Sequence, residues 1–176
     1  MPSSDTRDTA PFVVGASVRA TIAPPPEQLW AWIADPTRHP RLAGSGEPMS
    51  IHLLGAGPVG VGTRFESQQV IAGVVRYPIQ SEVVAFEPDR RFRFRVDGGP
   101  LWEFELQPVD GGTLVTHRHR FEPPTDGLMG LITPVQRVRA RMNTASMVGT
   151  LNNLARLAGA PPPEGMQVSY RPPALT

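Results

Sequence analysis

Polar and apolar residues alternate most sharply between Arg91 and Phe121. Side chains of an extended strand point to opposite faces in turn, so RRFRFRV puts Arg91, Arg93 and Arg95 on one side and Phe92, Phe94 and Val96 on the other. LWEFELQ separates Glu103 and Glu105 from Trp102, Phe104 and Leu106 in the same way. In VTHRHRF, Arg118 and Arg120 take one side, while His117 and His119 share the other with Val115 and Phe121. If these strands are antiparallel neighbours, the acids of the middle strand lie between two rows of arginines, and exposed pairs of this kind contribute about 0.2–1 kcal/mol each. The histidines then stand beside Trp102 and Phe104. The turn at Asp110 to Gly112 permits more than one register, and a bulge there would reverse the face the histidines take.

Upstream, PMSIHLL, TRFESQQVIA and VRYPIQSEVVAF have the same β-like character, which makes six strands between Glu47 and Phe121 and seven with Val13–Ile22. Ala23-Pro24-Pro25-Pro26 stops the first strand and seeds a helix over EQLWAWIAD, where Leu29, Trp30 and Ile33 face a core and Trp32 is left on a flank. Asp35-Pro36 ends it, and TRHPRLAG forms a second short helix before Gly44 and Gly46. The long helical segment is Asp126–Ala158, with a broad stripe through Leu128, Leu131, Val135, Val138, Met142, Ala145, Val148, Leu151, Leu154 and Ala158. Residues 1–12 read as a disordered N-terminal tail, 13–158 as one domain, and 159–176, rich in proline, as a C-terminal tail. A sheet with one aromatic face needs a cover, and the long helix is the element large enough to supply it. The fold class is therefore α+β: a curved seven-stranded antiparallel sheet around a long C-terminal helix, with two short helices after the first strand.

Composition narrows the chemistry. A chain of 176 residues with 40% hydrophobic content suits one domain with a substantial core. All seventeen basic residues are arginines, but they are interspersed with sixteen acids for a formal net charge of +1, so the basic footprint of a nucleic-acid binder is missing. With no cysteine there is no disulfide framework, thiolate metal site or cysteine nucleophile. No window approaches the ~18 apolar residues of a membrane span, and the first residues lack the apolar segment of a signal peptide, which predicts a cytoplasmic protein. GAGPVGVG lacks the lysine and following helix of a phosphate cradle and reads as a strand-connecting loop.

The order of strand, two short helices, six strands and long helix over about Val13 to Ala158 resembles the START-like SRPBCC superfamily, the helix-grip fold. Within it, the resemblance is to the polyketide cyclase/dehydratase and lipid-transport family. It is carried by ATIAPPPEQLWAWIADPTRHP, VGTRF, VVAFEPDRRFRF and the FELQPVDGGTLVT hairpin. The resemblance implies a cavity between sheet and long helix that holds a lipid, a polyketide or an isoprenoid-like molecule, with no shared catalytic motif; no cofactor is expected. Ligand-binding candidates are Phe65, Tyr77, Phe92, Phe94, Trp102, Phe104, His117, His119 and Met142, with Arg76 as an anchor for an acidic group or a surface ion-pair member. His117 and His119 are weak candidates for catalytic proton transfer in a cyclase, aromatase or dehydratase. As metal ligands they need a third partner, and His39 and His52 show no spacing that recruits them, so no metal is expected. A protein-interaction module built on Trp32 and the proline-rich tail is a further alternative, and a homodimer stays open.

Overall fold

Prolines set where the first strand stops and the first helix starts. In a computed structural model describing residues 14–46, 48–71, 75–97, 99–121 and 133–171, β1 (Val14–Ile22) runs into Pro24 and Pro25, and α1 (Pro26–Ile33) begins with proline in its first turn. Leu29, Trp30 and Ile33 are buried along one face of α1. Asp35 ends that helix and starts a single 3-10 turn, Pro36–Arg38, by accepting the Thr37 backbone N–H at 3.0 Å. The turn leads directly into α2 (His39–Leu42).

The strands β2 (Ser50–Leu53), β3 (Arg64–Ile71), β4 (Val75–Glu87), β5 (Arg91–Val96), β6 (Leu101–Val109) and β7 (Gly112–Phe121) form an antiparallel meander. The β6–β7 hairpin pairs without a bulge from Val109↔Gly112 to Leu101↔Arg120, so the histidines keep the expected facing. A bulge does occur in β4 between Val83 and Ala85, and it returns Phe86 to the inner face opposite Phe92.

The sheet has eight strands where seven are predicted. β8 (Glu164–Arg171) comes from the segment read as a proline-rich tail and pairs antiparallel with the outer edge of β1, completing the order β2-β3-β4-β5-β6-β7-β1-β8. The prolines at 161–163 precede the strand and carry the chain to it, while GMQVSY supplies the N–H groups its ladder needs. The N-terminal tail at 1–12 lies outside the described residues, as do Leu128 and Leu131 of the predicted helix stripe.

The long helix α3 (Thr133–Leu157) rests on β1, β7 and α2. Between residues 141 and 157 its buried residues are Met147, Thr150, Leu151, Leu154 and Ala155, whereas Met142 is 62% exposed and Ala145 is exposed too. The predicted stripe is therefore correct at Leu151 and Leu154 and out of phase at Met142 and Ala145. Met142 and Leu151 are nine residues apart, about two and a half turns, which puts them on opposite sides of a helix. Met142 is withdrawn as a cavity-lining residue.

Close approach of α3 to α2 depends on two glycines. A Cβ on Gly149 would stand 2.8 Å from the Gly44 Cα, and a Cβ on Gly44 would stand 2.2 Å from the Ser146 carbonyl oxygen. The Gly44 N–H donates to Thr150 Oγ1 at 3.0 Å, pinning the crossing. Gly149→Ala is expected to destabilise the fold by about 1–2 kcal/mol, since overpacking of about 1–3 kcal/mol outweighs the gain of up to about 1 kcal/mol from helix propensity. Urea denaturation checks this, and a neutral or stabilising effect would mean that the two helices separate freely.

Candidate functional site

Cross-strand registers assemble the concave face into two rows. One runs Val18, His117, Phe104, Phe92, Phe86 across β1, β7, β6, β5 and β4; the other runs Ala16, His119, Trp102, Phe94, Val83. The alternation read from sequence thus brings both histidines together with Trp102 and Phe104, as expected. Phe65 on β3 joins the face, with its ring centroid 5.4 Å from that of Phe94. Tyr77 pairs with Gln69 and, by strand alternation, shares the side of Ser67 and Phe65; Arg76 is exposed on the opposite side.

These candidates divide by burial. Phe65, Phe92, Phe104, His117 and His119 are buried, and the rings of Phe92 and Phe104 are packed by other protein groups. Phe94, Trp102 and Tyr77 are half-buried, so part of each remains open. That trio is the part of the predicted lining that still presents surface to a ligand.

His117 is built into the core. Its ring stacks on Phe104 with centroids 3.9 Å apart and 4° between planes. Its Nδ1 lies 2.9 Å from the Glu103 backbone carbonyl, which can only accept, so the ring proton sits on Nδ1. Burial pushes its pKa down from 6.5 to about 4, with nearby His39 adding to the decrease and the Glu103 carbonyl and carboxylate opposing it. Such a side chain is uncharged at neutral pH and a weak base.

His39 belongs to this group, although its sequence neighbours give no sign of it. Buried at the start of α2, it donates from Nε2 to the Ile33 carbonyl at 2.8 Å and sets its ring against Phe92, Phe94 and Phe104. Burial lowers its pKa as well, against the opposing pull of the Ile33 carbonyl and Asp35. Only the fold brings α2 over β5 and β6. His52, by contrast, is exposed on β2.

His119 contacts Trp102 edge to face at 4.3 Å, and Asn143 of α3 places its Nδ2 3.1 Å from His119 Nε2. An amide NH2 can only donate, so the imidazole accepts there. This polar contact ties the long helix to His119. Among the described residues no group of three or more His, Asp or Glu is arranged to hold a metal ion.

On the convex side, the arginine and acid ladder forms as expected, with Arg93 opposite Glu103 and Glu103 opposite Arg118. One part of the expectation changes: the Glu103 side chain is only 4% exposed beneath Arg93 and Arg118, so its ion pairs are buried at their acidic end. Burial alone would raise its pKa, but Arg93 and Arg118 overcome that and hold the carboxyl below its ordinary range.

Two other surfaces do not extend the site. An open crevice of about 660 Å³ lies where the start of α1 meets the β5 and β6 ends, lined by charged and polar groups including Glu27, Asp89, Arg90 and Gln107. Trp32, the candidate for a protein contact, has the Arg38 and Arg41 guanidinium carbons each 5.2 Å from its ring centroid, so its face is already occupied within the chain. No helix among the described residues is long and apolar enough to cross a membrane.

Comparison with known proteins agrees with this architecture. The family described as polyketide cyclase/dehydrase and lipid transport matches residues 14–159. An uncharacterized protein of Mycobacterium tuberculosis is 30% identical over 150 residues, covering 84% of this chain and 65% of that protein, so the chain spans about two thirds of its relative's length. The polyketide cyclase-like protein of Corynebacterium glutamicum superposes with a TM-score of 0.58 at 25% identity, over 82% of this chain and 91% of its own. The di-domain aromatase/cyclase StfQ of the steffimycin biosynthetic pathway gives a TM-score of 0.66 at 13% identity, over 84% of this chain and 51% of its own. The last of these likenesses is one of fold.

Proposed function

Since the chain belongs to the polyketide cyclase/dehydrase and lipid transport family, with a fold that binds hydrophobic ligands, we propose that it binds a lipid, polyketide or isoprenoid-like molecule between the sheet and α3, as a carrier or sensor. The observation that carries this reading is the pair Phe94 and Trp102. They stand side by side on the concave face, half-buried, next to the His119–Asn143 contact. Apolar rings with one polar group at their border are the surface an elongated hydrophobic molecule with a single oxygen-bearing end requires.

Native mass spectrometry after gentle purification, with panels of lipids and aromatic polyketides, tests the proposal. One-to-one saturable adducts are expected, and Trp102→Ala should weaken them about tenfold, an aromatic contact being worth roughly 1–2 kcal/mol. An absence of adducts with every panel would overturn it.

The enzymatic alternative, a cyclase, aromatase or dehydratase, loses one of its two candidate bases. A histidine held near pKa 4 and stacked on Phe104 is poorly matched to proton transfer at neutral pH, which leaves His119 to carry that reading. Turnover of a polyketide-like substrate that falls in His119→Ala while binding survives would favour it over the carrier.

A further inference from the structure

Strand β8 lies beyond residue 159, where the family match ends, yet it adds to the concave face. Tyr170 pairs with Ala16 on one side of β1, and Ala16 pairs with His119 on the other. Tyr170 and His119 therefore project to the same side of the sheet, separated by a side chain of one carbon. Most of β8 is solvent-exposed, including Glu164, Gly165, Gln167 and Ser169, but Tyr170 is partly buried against the core cluster.

The hydroxyl of Tyr170 is shielded from solvent and meets no hydrogen-bond partner among the described residues. A buried phenol normally finds a partner, and an unsatisfied one is a cost that phenylalanine would avoid while offering the same ring. The hydroxyl thus contributes nothing to packing. The residue stands at the end of the row that continues through Ala16 and His119 to Trp102 and Phe94.

We infer that Tyr170 is a ligand-binding residue whose hydroxyl hydrogen-bonds an oxygen on an otherwise apolar molecule, selecting ketones, esters or alcohols over hydrocarbons. This rests on the ligand-binding reading above and adds a specificity element from a strand outside the family-matched segment. The row then grades from the Phe94 and Trp102 rings, which meet hydrocarbon, to the His119, Asn143 and Tyr170 end, which meets the oxygen.

Two matched probes test it: 2-acetylnaphthalene, which carries a ketone, and 2-ethylnaphthalene, which does not. Their affinities for the full chain and for Tyr170→Phe are measured by NMR titration. The variant should weaken the ketone about tenfold and leave the hydrocarbon within about twofold. With a 13C-labelled ketone, the carbonyl stretch should lie at lower wavenumber in the wild-type complex than in the variant complex, where the hydroxyl donor is missing. The ligand-free variant should melt at the same temperature as the wild type or higher, because no protein hydrogen bond is lost. A lower melting temperature, equal effects on both probes, or the same carbonyl stretch in the two complexes would overturn the inference while leaving the ligand-binding reading intact if the hydrocarbon still binds. If neither probe binds the wild type, the inference falls, and the ligand-binding reading is decided by the lipid and polyketide panels.

Discussion

Lowering the pH from 7 to 4 is expected to remove about 3 kcal/mol of folding stability through His117 alone. The unfolded side chain titrates near 6.5 and the folded one at about 4. Between those values the unfolded chain binds a proton that the native state refuses, so stability rises with pH across the window. The contribution is fully present above about 6.5 and is lost as pH falls to about 4. Groups facing the ring account for the refusal: Phe104 covers it, Val18 flanks it on β1, and His39 adds repulsion once charged, while the Glu103 carbonyl and carboxylate attract the proton too weakly to compensate. His39 changes in the same direction and adds to the loss. Urea denaturation at several pH values between 7 and 4 measures the effect. His117→Asn keeps an N–H for the Glu103 carbonyl but cannot titrate, so it should flatten the slope by about one proton. An unchanged slope in that variant would show that His117 is not the group responsible.

Replacing Glu103 with alanine should cost about 3 kcal/mol at pH 7, the low end for breaking a buried ion pair. The low end applies because Arg93 and Arg118 are 29% and 26% exposed and regain hydration once the carboxylate is gone. An ordinary surface pair would cost under about 1 kcal/mol, so the two cases separate clearly. Because its folded pKa is depressed, the carboxylate contributes stability above its ordinary pKa of 4.5 and loses it as pH falls through the lowered folded value. The cost of Glu103→Ala should therefore persist at pH 5 and shrink in strong acid, and because the carboxylate also attracts the His117 proton, its loss should lower the folded pKa of His117 further. A cost below 1 kcal/mol at pH 7 would contradict the burial of this carboxylate.

Much of the central sheet was legible because period-two alternation is strict where one face is wet and the other dry. Arg91 to Phe121 specified three strands and which side chains share a face in each; the register, which the Asp110–Gly112 turn left open, follows from an unbulged hairpin that gives both histidines the expected facing. Alternation cannot say how deeply a charged residue is covered, so Glu103 read as exposed until the lengths of Arg93 and Arg118 closed over it. The helix stripe failed at Met142 because a stripe extended by threes drifts away from a 3.6 period, and Met147, four residues before Leu151, was the residue on the buried side. β8 was missed because prolines dominate its surroundings, although GMQVSY between them is free of proline and carries alternating Met166, Val168 and Tyr170. His39 left no local signature, since its neighbours Phe92, Phe94 and Phe104 lie more than fifty residues away.

The most direct test of ligand binding on the concave face is an isotope-filtered NMR experiment on the protein saturated with 2-acetylnaphthalene. Nuclear Overhauser contacts from the probe to the rings of Phe94 and Trp102 are expected, with none to the outer-face arginines. Contacts confined to the convex side, or a failure to saturate at all, would contradict the account.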